Sequence, residues 1–242
     1  IMPKISIAIP TCESEGRGAE FIDDLFRTIV IQQFKDYNVW VSDQSVDNSV
    51  KNICRAYQNR INVEYIRNAE NRGNGPANTN NAIELCDGEI VKVMFQDDFF
   101  YDDEALGKIY DALSTSDKTW LVCGSNHTRD DGNSFYWDLM PKWNDQIING
   151  VNTISSPSVV AFKNGIKERF ETNVKMMMDC EFYYTMDKAH GQPVYLHDVL
   201  VSNRVHDGQV SQRITSDPKY FEEMKKEIDY CFEKHGVNYN EV

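Results

Sequence analysis

The chain has 242 residues, of which 41% are hydrophobic and 12% aromatic, so it can bury a sizeable core and is not a disordered chain. Its formal net charge of −13 repels a nucleic-acid backbone, and no run of lysine or arginine offsets that repulsion. These properties exclude a nucleic-acid partner and favour a globular enzyme or binding protein.

The sequence also predicts where the protein works and how it is divided. Its longest apolar runs, such as Ile90 to Met94, are far too short to cross a bilayer, and the first residues lack a signal-peptide pattern. The six cysteines are scattered without the close pairs of a zinc site or a secreted disulfide framework. No linker-like stretch divides the chain. We therefore expect a single domain over residues 1–242, with reduced thiols, in the cytoplasm.

The first half of the chain alternates strand and helix patterns. Period-two alternation or short apolar runs predict strands at residues 5–9, 39–42, 63–66 and 90–95. Apolar residues that recur at three- and four-residue steps predict helices at residues 21–30, 50–57 and 75–85. Asp47 stands in position to cap the second helix. Strands separated by helices pair in parallel, which predicts an α/β fold with a mostly parallel central sheet flanked by helices.

The second half is less regular. Its patterns predict helices at residues 102–114, 180–189 and 220–234. They predict strands at residues 120–124, 159–162, 194–196 and 199–203. Between them lies an aromatic-rich loop region that contains Phe135, Tyr136, Trp137 and Trp143.

The strongest local signal is the pair of acids in Gln96-Asp97-Asp98, which directly follows the fourth predicted strand. Parallel sheets bind ligands beyond the carboxyl ends of their strands, so these acids stand where a site is expected. Adjacent carboxylates repel each other, and Mg²⁺ or Mn²⁺ relieves that repulsion by binding one or two of them together with substrate phosphate oxygens. The alternative is a turn that caps the helix beginning near Asp102.

Asp43 favours a ligand site over a simple turn. It follows the second predicted strand, so it lies at the same sheet edge as Pro10-Thr11 and the acid pair. A carboxylate there can accept the imide N–H of a uracil or the exocyclic donors of another base, and Asp97 can accept a ribose hydroxyl. The alternative is that Asp43 and Asp47 only cap the helix that follows.

Four short segments occur in a characteristic order along the chain. Pro-Thr at residues 10–11 resembles an opening Pro-Thr or Pro-Val turn, and residues 42–49 resemble Asp-Asp-Gly-Ser-x-Asp-x-Ser/Thr. Residues 71–77 resemble Asn-x-Gly-x-x-x-Ala, and residues 87–90 resemble the Gly-Glu-Tyr-Ile that precedes a metal motif. By these segments the chain resembles the inverting glycosyltransferases of family 2, which have the GT-A fold, from residue 5 to about residue 212.

The resemblance implies roles for the residues at the sheet edge. Asp97 is expected to hold the donor ribose, and Asp98 to bind a divalent metal, Mn²⁺ or Mg²⁺. The first acid of the family's Asp-x-Asp motif is replaced here by Phe95 or Gln96, so which acid does which job stays open. The nucleotide-sugar is expected to be bound by Pro10, Thr11, Glu13, Asp43, Arg72, Asp97 and Arg204.

Two downstream segments complete the implied site. Asp179 in Met178-Asp179-Cys180-Glu181 matches the family's general base, which takes the proton of the acceptor hydroxyl as its oxygen attacks the anomeric carbon. Glu181 competes for the role of general base. The alternative for Glu181 is a structural one, in which it is only a first-turn acid that the helix dipole favours. In the Arg204-Val205-His206 segment, the resemblance implies His206 as a second metal ligand and Arg204 as a cation for the diphosphate. Arg72 is a further cation for the diphosphate, with a solvated loop as its alternative.

The function that the resemblance implies is transfer of a sugar from a nucleotide diphosphate donor to a hydroxyl. UDP is the commoner donor nucleotide in the family, and the acceptor would be a saccharide or a lipid-linked molecule of bacterial surface polysaccharide synthesis. Residues 1–100 would form the donor half, residues 101–215 the acceptor half and residues 216–242 a C-terminal helix. The aromatic loop could stack on a sugar ring, although burial in a core is the commoner role of such residues. A lipid-linked acceptor would bring the protein to the inner face of the membrane.

Two other classes stay open. A sugar nucleotidyltransferase shares the sheet, the metal and the nucleotide, but it usually has a Gly-x-Gly-x-Arg loop after the first strand. This chain has Thr-Cys-Glu-Ser-Glu at residues 11–15 instead. A non-catalytic sugar- or nucleotide-binding module would keep the site without turnover. An Asp179→Asn change that has no effect in a turnover assay would favour this class.

Overall fold

The computed structural model describes residues 2–13 and 16–238, and its first half follows the predicted alternation of strands and helices. The elements are β1 (Ile5–Thr11), α1 (Gly18–Val30), β2 (Tyr37–Asp43), α2 (Ser49–Tyr57), β3 (Val63–Arg67), α3 (Gly75–Leu85) and β4 (Ile90–Val93). In α1 the buried positions recur at three- and four-residue steps, as in Ile22, Leu25 and Phe26, and this stripe packs on the sheet.

The second half contains shorter elements. They are β5 (Phe99–Phe100), α4 (Ala105–Ser114), β6 (Trp120–Thr128), β7 (Tyr136–Leu139), β8 (Val160–Lys163), α5 (Met178–His190), β9 (Val194–Arg204), α6 (Val210–Ser216) and α7 (Pro218–His235). Two 3₁₀ helices, Asp145–Asn149 and Pro157–Val159, precede β8. No helix within the described ranges is long and apolar enough to span a membrane.

One sheet joins both halves of the described chain. Its strand order is β3-β2-β1-β4-β8-β6-β9-β5, with β7 beside β6. The first four strands pair in parallel, as predicted, and β6 pairs in parallel with β9. The pairs of β8 with β4 and β6, of β5 with β9 and of β7 with β6 are antiparallel. The sheet is therefore mixed, because β6, β7 and β8 follow one another without an α-helical crossover.

Some strand boundaries differ from the prediction. β4 ends at Val93 rather than at residue 95, and Phe95 donates its backbone N–H to the Ser158 hydroxyl at 2.9 Å instead of to a neighbouring strand. The two strands predicted at 194–196 and 199–203 form the single strand β9, because a register shift beside β6 absorbs the irregular residues between them.

Other local predictions differ from the structure by one residue or by the type of element. α2 begins after Asn48, whose side chain makes no capping bond. Asp47 takes that role from one residue earlier, since its Oδ1 accepts the Ser49 backbone N–H at 2.9 Å. Tyr136 and Trp137, predicted to lie in a loop, belong to β7. The short elements β5 and α6 were not predicted, because neither is long enough to show a period.

Candidate active site

A cleft of about 500 Å³ opens at the carboxyl end of the parallel strands. One wall follows β1, β2 and β4, and the other consists of the turn at 156–157, the start of α5 and residues 206–214. Six of the predicted site residues line it: Pro10, Thr11, Asp97, Asp98, Asp179 and His206. The other four lie outside its lining: Glu13, Asp43, Arg72 and Arg204.

The acid pair occupies the turn between β4 and β5. Asp98 is 3% exposed, and burial together with the charge of Asp97 raises its pKa to about 7. Its Oδ2 accepts a hydrogen bond from the Ser156 hydroxyl at 3.0 Å, and its Oδ1 accepts one from the backbone N–H of Arg204 at 3.2 Å. The Asp97 side chain is 23% exposed. Burial therefore disfavours the charged form of Asp98, and its hydrogen-bond partners offset this only in part.

A buried lysine lies beneath the acid pair. The ammonium of Lys92 is fully buried and donates to the carbonyl oxygens of Val93, at 2.8 Å, and of Ser158. Burial lowers the pKa of Lys92 to about 8. Because Ser158 belongs to the same turn as Ser156, Lys92 fixes the turn whose hydroxyl contacts Asp98.

The segment after β9 approaches Asp97 rather than Asp98. The Nε2 atom of His206 lies 3.3 Å from Asp97 Oδ2, and its ring packs 5.1 Å from the Phe21 ring. Gln209 also turns its amide toward Asp97, with Nε2 at 3.5 Å from the same oxygen. The imidazole is therefore within reach of a ligand bound beside Asp97.

The donor set fits a hard divalent cation only when outside oxygens complete the shell. Within residues 2–13 and 16–238, no three or more histidine, cysteine or acidic side chains are arranged to hold a metal ion. Mg²⁺ and Mn²⁺ sites that use one or two carboxylates and substrate phosphates do not need such a cluster. Two carboxylates in one turn, one of them with a raised pKa, match that second kind of site.

Asp179 faces the same cleft from the opposite wall, at the start of α5. Its Oδ2 accepts a hydrogen bond from the Asn152 amide at 2.8 Å, and its Oδ1 accepts the Cys180 N–H at 2.8 Å. Burial raises the pKa of Asp179, which makes the carboxylate a better proton acceptor than an exposed aspartate.

Glu181, the competing candidate for the base, points away from the cleft. It is fully buried, and its Oε1 contacts the Lys234 ammonium at 2.8 Å and His235 Nε2 at 2.8 Å, both on α7. Burial alone would raise its pKa, but the hydrogen bonds from His235 and Lys234 lower it. Glu181 therefore anchors α7 to α5, and of the two acids only Asp179 lines the cleft.

Asp43 lies beneath the cleft rather than in it. Its carboxylate is fully buried: Oδ1 accepts the Ser45 N–H at 2.9 Å and the Thr11 hydroxyl at 3.2 Å, and Oδ2 accepts the Tyr65 hydroxyl at 2.7 Å. This arrangement does not fit the predicted contact with a base, because Asp43 does not line the cleft. Asp43 instead fixes the loop after β2, where Gln44 lines the cleft.

Glu13, predicted to contact the donor, instead caps α1. Its Oε1 accepts the Gly18 N–H at 2.9 Å and its Oε2 accepts the Ala19 N–H at 2.8 Å. A carboxylate at this end of a helix is also favoured by the helix dipole. A side chain at position 18 would place its Cβ 2.8 Å from the Glu13 Cα, so this close approach requires glycine.

Arg204 is also turned away from the cleft. Its residue surface is 1% exposed, and its guanidinium lies 4.7 Å from the ring centre of Phe21 and 5.4 Å from that of Phe99. It pairs with Asp24 at 3.0 Å and with Asp131. The predicted contact with a diphosphate does not fit, because aromatic rings and carboxylates already surround the guanidinium.

Arg204 nevertheless acts on the acid pair. Its Nε donates to the Asp97 carbonyl oxygen at 3.1 Å, in addition to the bond from its backbone N–H to Asp98. It therefore braces the acidic turn from behind. Arg72 is exposed and donates to the Gln44 carbonyl oxygen at 3.2 Å, so it lies beside the cleft rather than in it.

Several site residues were missed by the sequence analysis. The Gln96 amide pairs with the backbone of Cys12, donating to its oxygen at 3.0 Å and accepting its N–H at 2.9 Å. The Asn78 amide donates to the carbonyl oxygens of Thr11 at 3.0 Å and Ser42 at 3.1 Å. Gln96 could have been found from its place before the acid pair. Nothing in the pattern of α3 marks Asn78, and nothing marks the two cations that line the cleft, Arg17 and Lys175.

Comparison with known proteins places the chain in a family. The profile of Glycosyl transferase family 2 matches residues 6–186. An uncharacterized glycosyltransferase of Rickettsia typhi is 24% identical over 225 residues, which are 86% of this chain and 66% of that protein. The chain thus spans about two thirds of the length of that relative.

Solved structures share the fold. S. aureus TarS 1–349 in complex with UDP has a TM-score of 0.69 and 19% sequence identity, covering 95% of this chain and 65% of that one. The mannosyltransferase PcManGT from Pyrobaculum calidifontis, in complex with GDP-Man and Mn²⁺, has a TM-score of 0.64 and 18% identity, covering 89% and 61%. The fold is the GT-A arrangement of a mixed sheet flanked by helices, and since the family profile covers most of the chain, the protein belongs to glycosyl transferase family 2.

Proposed function

We propose that the protein transfers a sugar, with inversion, from a nucleotide diphosphate donor to a hydroxyl of an acceptor. The observation that carries this proposal is the cleft itself, in which the acid pair and Asp179 line opposite walls. A leaving diphosphate needs its charge stabilised, and an attacking hydroxyl needs a base on the other side of the sugar. The family membership of the chain agrees with a site in which one wall binds the diphosphate and the other provides the base.

The donor nucleoside would lie on the wall formed by the parallel strands. Thr11 and Gln44 line this wall, and Asp97 is exposed enough to accept a ribose hydroxyl. UDP is the proposed nucleotide. TarS has been crystallised with UDP and with UDP-GlcNAc, whereas PcManGT was crystallised with GDP-Man. The experiment below therefore compares uracil and guanine nucleotides.

Asp98 would hold Mn²⁺ or Mg²⁺, with Asp97 and His206 within reach of the same ligands. The cation would supply positive charge to the diphosphate as the bond to the sugar breaks. Arg204 braces the acidic turn, and Lys92 fixes the neighbouring turn whose Ser156 hydroxyl contacts Asp98. Arg17 lines the cleft as a further cation for the phosphate oxygens.

Asp179 would carry out the acid–base step. The acceptor oxygen attacks the anomeric carbon, a new C–O bond forms, and the bond to the diphosphate oxygen breaks on the opposite face. The hydroxyl proton passes to the Asp179 carboxylate, which the Asn152 amide holds in position. The acceptor is proposed to be a saccharide or a lipid-linked molecule of bacterial surface polysaccharide synthesis, met at the inner face of the membrane.

In this proposal the chain is one functional unit. Residues 1–100 form the donor half, residues 101–215 the acceptor half, and residues 216–242 a C-terminal helical segment. Lys175 and Met176, which line the cleft before α5, belong to the acceptor half and lie beside the proposed base.

Calorimetric titration tests the donor site. UDP, GDP and dTDP are each titrated into the wild type and into Asp98→Ala, with and without Mn²⁺. We expect metal-dependent binding of one nucleotide, most simply UDP, and loss of that binding in the variant. Binding of none of the three would contradict the proposal.

Product analysis separates the remaining classes. With a nucleotide sugar and an acceptor, a glycosyltransferase releases the nucleoside diphosphate, whereas a nucleotidyltransferase run in reverse consumes pyrophosphate and forms a nucleoside triphosphate. A binding module would do neither. Release of UDP that requires Asp179 would support the proposal over both alternatives.

A further inference from the structure

One segment of the acceptor wall is held from two sides. Residues 170–177, which we call the strap, run from a contact with α3 of the donor half to the start of α5. At one end, the Asn80 amide donates to the Phe170 oxygen at 2.7 Å and accepts its N–H at 2.8 Å. Asn74 donates to the Thr172 oxygen at 2.9 Å. The strap is therefore tied to the N-cap and to the middle of α3.

At its other end the strap is held by a single carboxylate from α7. Glu227 accepts three successive backbone N–H groups: Oε1 bonds Lys175 at 2.9 Å, and Oε2 bonds Met176 at 2.8 Å and Met177 at 3.0 Å. The N-cap residue of α5 is Met177, whose side chain makes no capping bond. The negative charge that helix α5 favours at its start is thus supplied in part by another helix.

The position of Glu227 connects it to the cleft. Lys175 and Met176 line the cleft, and Asp179 stands two residues after the last amide that Glu227 binds. Other contacts dock α7 on the same region, since Lys234 pairs with Glu171 at 2.6 Å. These contacts hold α7 against the strap, whereas Glu227 binds the backbone amides that lead into Asp179.

We propose that Glu227 is a positioning residue for Asp179, acting through the three amides of the strap. The inference rests on the transferase function proposed above. α7 is then part of the catalytic geometry, because it sets the direction in which α5 presents its first carboxylate. A carboxylate is required, since one oxygen pair must accept three N–H groups at once.

Three variants test the inference. Glu227→Gln replaces one acceptor oxygen by a donor that opposes a strap N–H, and Glu227→Asp keeps the charge as the conservative variant. Glu223→Gln, on the exposed part of the same helix, is the matched control with the same change in charge. We expect Glu227→Gln to lower kcat by about tenfold or more, with nucleotide affinity within about twofold of wild type, because a small displacement of the base slows transfer without touching the donor wall. Glu227→Asp should restore part of kcat, and Glu223→Gln should behave as wild type.

Amide hydrogen exchange gives a readout that does not depend on turnover. The amides of residues 175–177 should exchange faster in Glu227→Gln than in the wild type and in Glu223→Gln. Faster exchange with an unchanged kcat would overturn the positioning role, and so would an equal loss of nucleotide affinity. If the wild type turns over no donor, the proposed function fails, while unchanged exchange in Glu227→Gln would independently overturn the contact on which this inference depends.

Discussion

The two walls of the cleft are built by different kinds of contact. On the donor wall, Thr11 ends a parallel strand and Gln44 and Asp97 follow two others, so pairing of the strands brings them together. On the acceptor wall, contacts join distant segments: Ser156 bonds Asp98 across 58 positions, and Glu227 bonds Met177 across 50.

The difference matters for how the walls respond to change. Strand register places many donor-wall residues at once, so the loss of one side chain leaves the others in place. The acceptor wall depends on single side chains that bind backbone groups. We therefore expect substitutions on the acceptor wall to affect turnover more than nucleotide binding, and substitutions behind the donor wall to affect stability.

Asp179→Asn should have the largest effect. Asparagine keeps the size of the side chain but cannot accept the hydroxyl proton, so we expect kcat to fall about 1000-fold with little change in nucleotide affinity. Steady-state turnover and calorimetry measure the two quantities separately. Asp187→Asn is the matched control, because Asp187 lies on the same helix with its carboxylate bonded to Gln192 at 2.6 Å. Equal losses in both variants would mean that damage to α5, and not loss of the base, lowers kcat.

The pH dependence of kcat sharpens the same assignment. Burial raises the pKa of Asp179, and only the deprotonated carboxylate can take the proton of the acceptor. The rate should therefore rise with pH through a pKa above that of an ordinary aspartate. An acid limb that persists in the residual activity of Asp179→Asn would assign it to another group.

Arg204→Met should cause the largest loss of stability. It removes a buried guanidinium between two aromatic rings, takes the ion pair from Asp24 and leaves Asp131 with Arg17. We expect the free energy of unfolding to fall by about 3 kcal/mol, measured by urea denaturation. The exposed Arg72→Met should change it by less than about 0.5 kcal/mol. A free energy of unfolding within about 0.5 kcal/mol of the wild type in Arg204→Met would contradict this expectation.

Asp98→Asn should stabilise the metal-free protein at alkaline pH, although it removes the proposed metal ligand. The folded-state pKa of about 7 lies above the ordinary aspartate value of 3.8, so between these values the folded protein holds a proton that the unfolded chain releases. Stability is therefore lost as the pH rises toward the folded pKa, and the neutral asparagine avoids this loss.

In the metal-free protein, the Tm of Asp98→Asn should exceed that of the wild type by a few degrees at about pH 8, and the gain should vanish near about pH 4. Thermal denaturation at several pH values measures this. A lower Tm at the alkaline end would mean that the bonds from Ser156 and Arg204 outweigh the penalty of burying the charge.

Glu13→Gln should have the smallest effect. It weakens the cap of α1, so we expect the free energy of unfolding to fall by about 1 kcal/mol while nucleotide affinity stays unchanged. Urea denaturation and calorimetry measure the two effects. Glu20→Gln, an exposed change in the first turn of the same helix, controls for the loss of charge. Loss of nucleotide affinity in Glu13→Gln would restore the donor contact predicted from the sequence.

The parallel half of the fold could be predicted because its patterns are local. Alternation such as Ile5, Ile7 and Ile9 reports burial within one strand, and the order of strands and helices then limits the topology. The antiparallel strands of the second half depend on partners far along the chain. The register shift in β9 and the two-residue strand β5 leave no periodic signal.

The site was predictable in the same uneven way. The acid pair and Asp179 follow or open a patterned element, and the structure places all three in one cleft. Asp43 and Arg204 were misplaced, because residue type and motif position do not reveal which way a side chain turns. The direction of each side chain is set by groups from other elements, such as the Tyr65 hydroxyl beside Asp43 and the Phe21 ring beside Arg204.

The long final strand, β9, has a consequence for how the protein is made. On the ribosome, β1 to β4 emerge first and can pair with one another, so the nascent chain presents the acid pair early. Asp98 gains the Arg204 amide only when β9 has joined the sheet, and the strap gains Glu227 only when α7 follows. We therefore expect a translating chain to acquire its nucleotide site in stages and its turnover last.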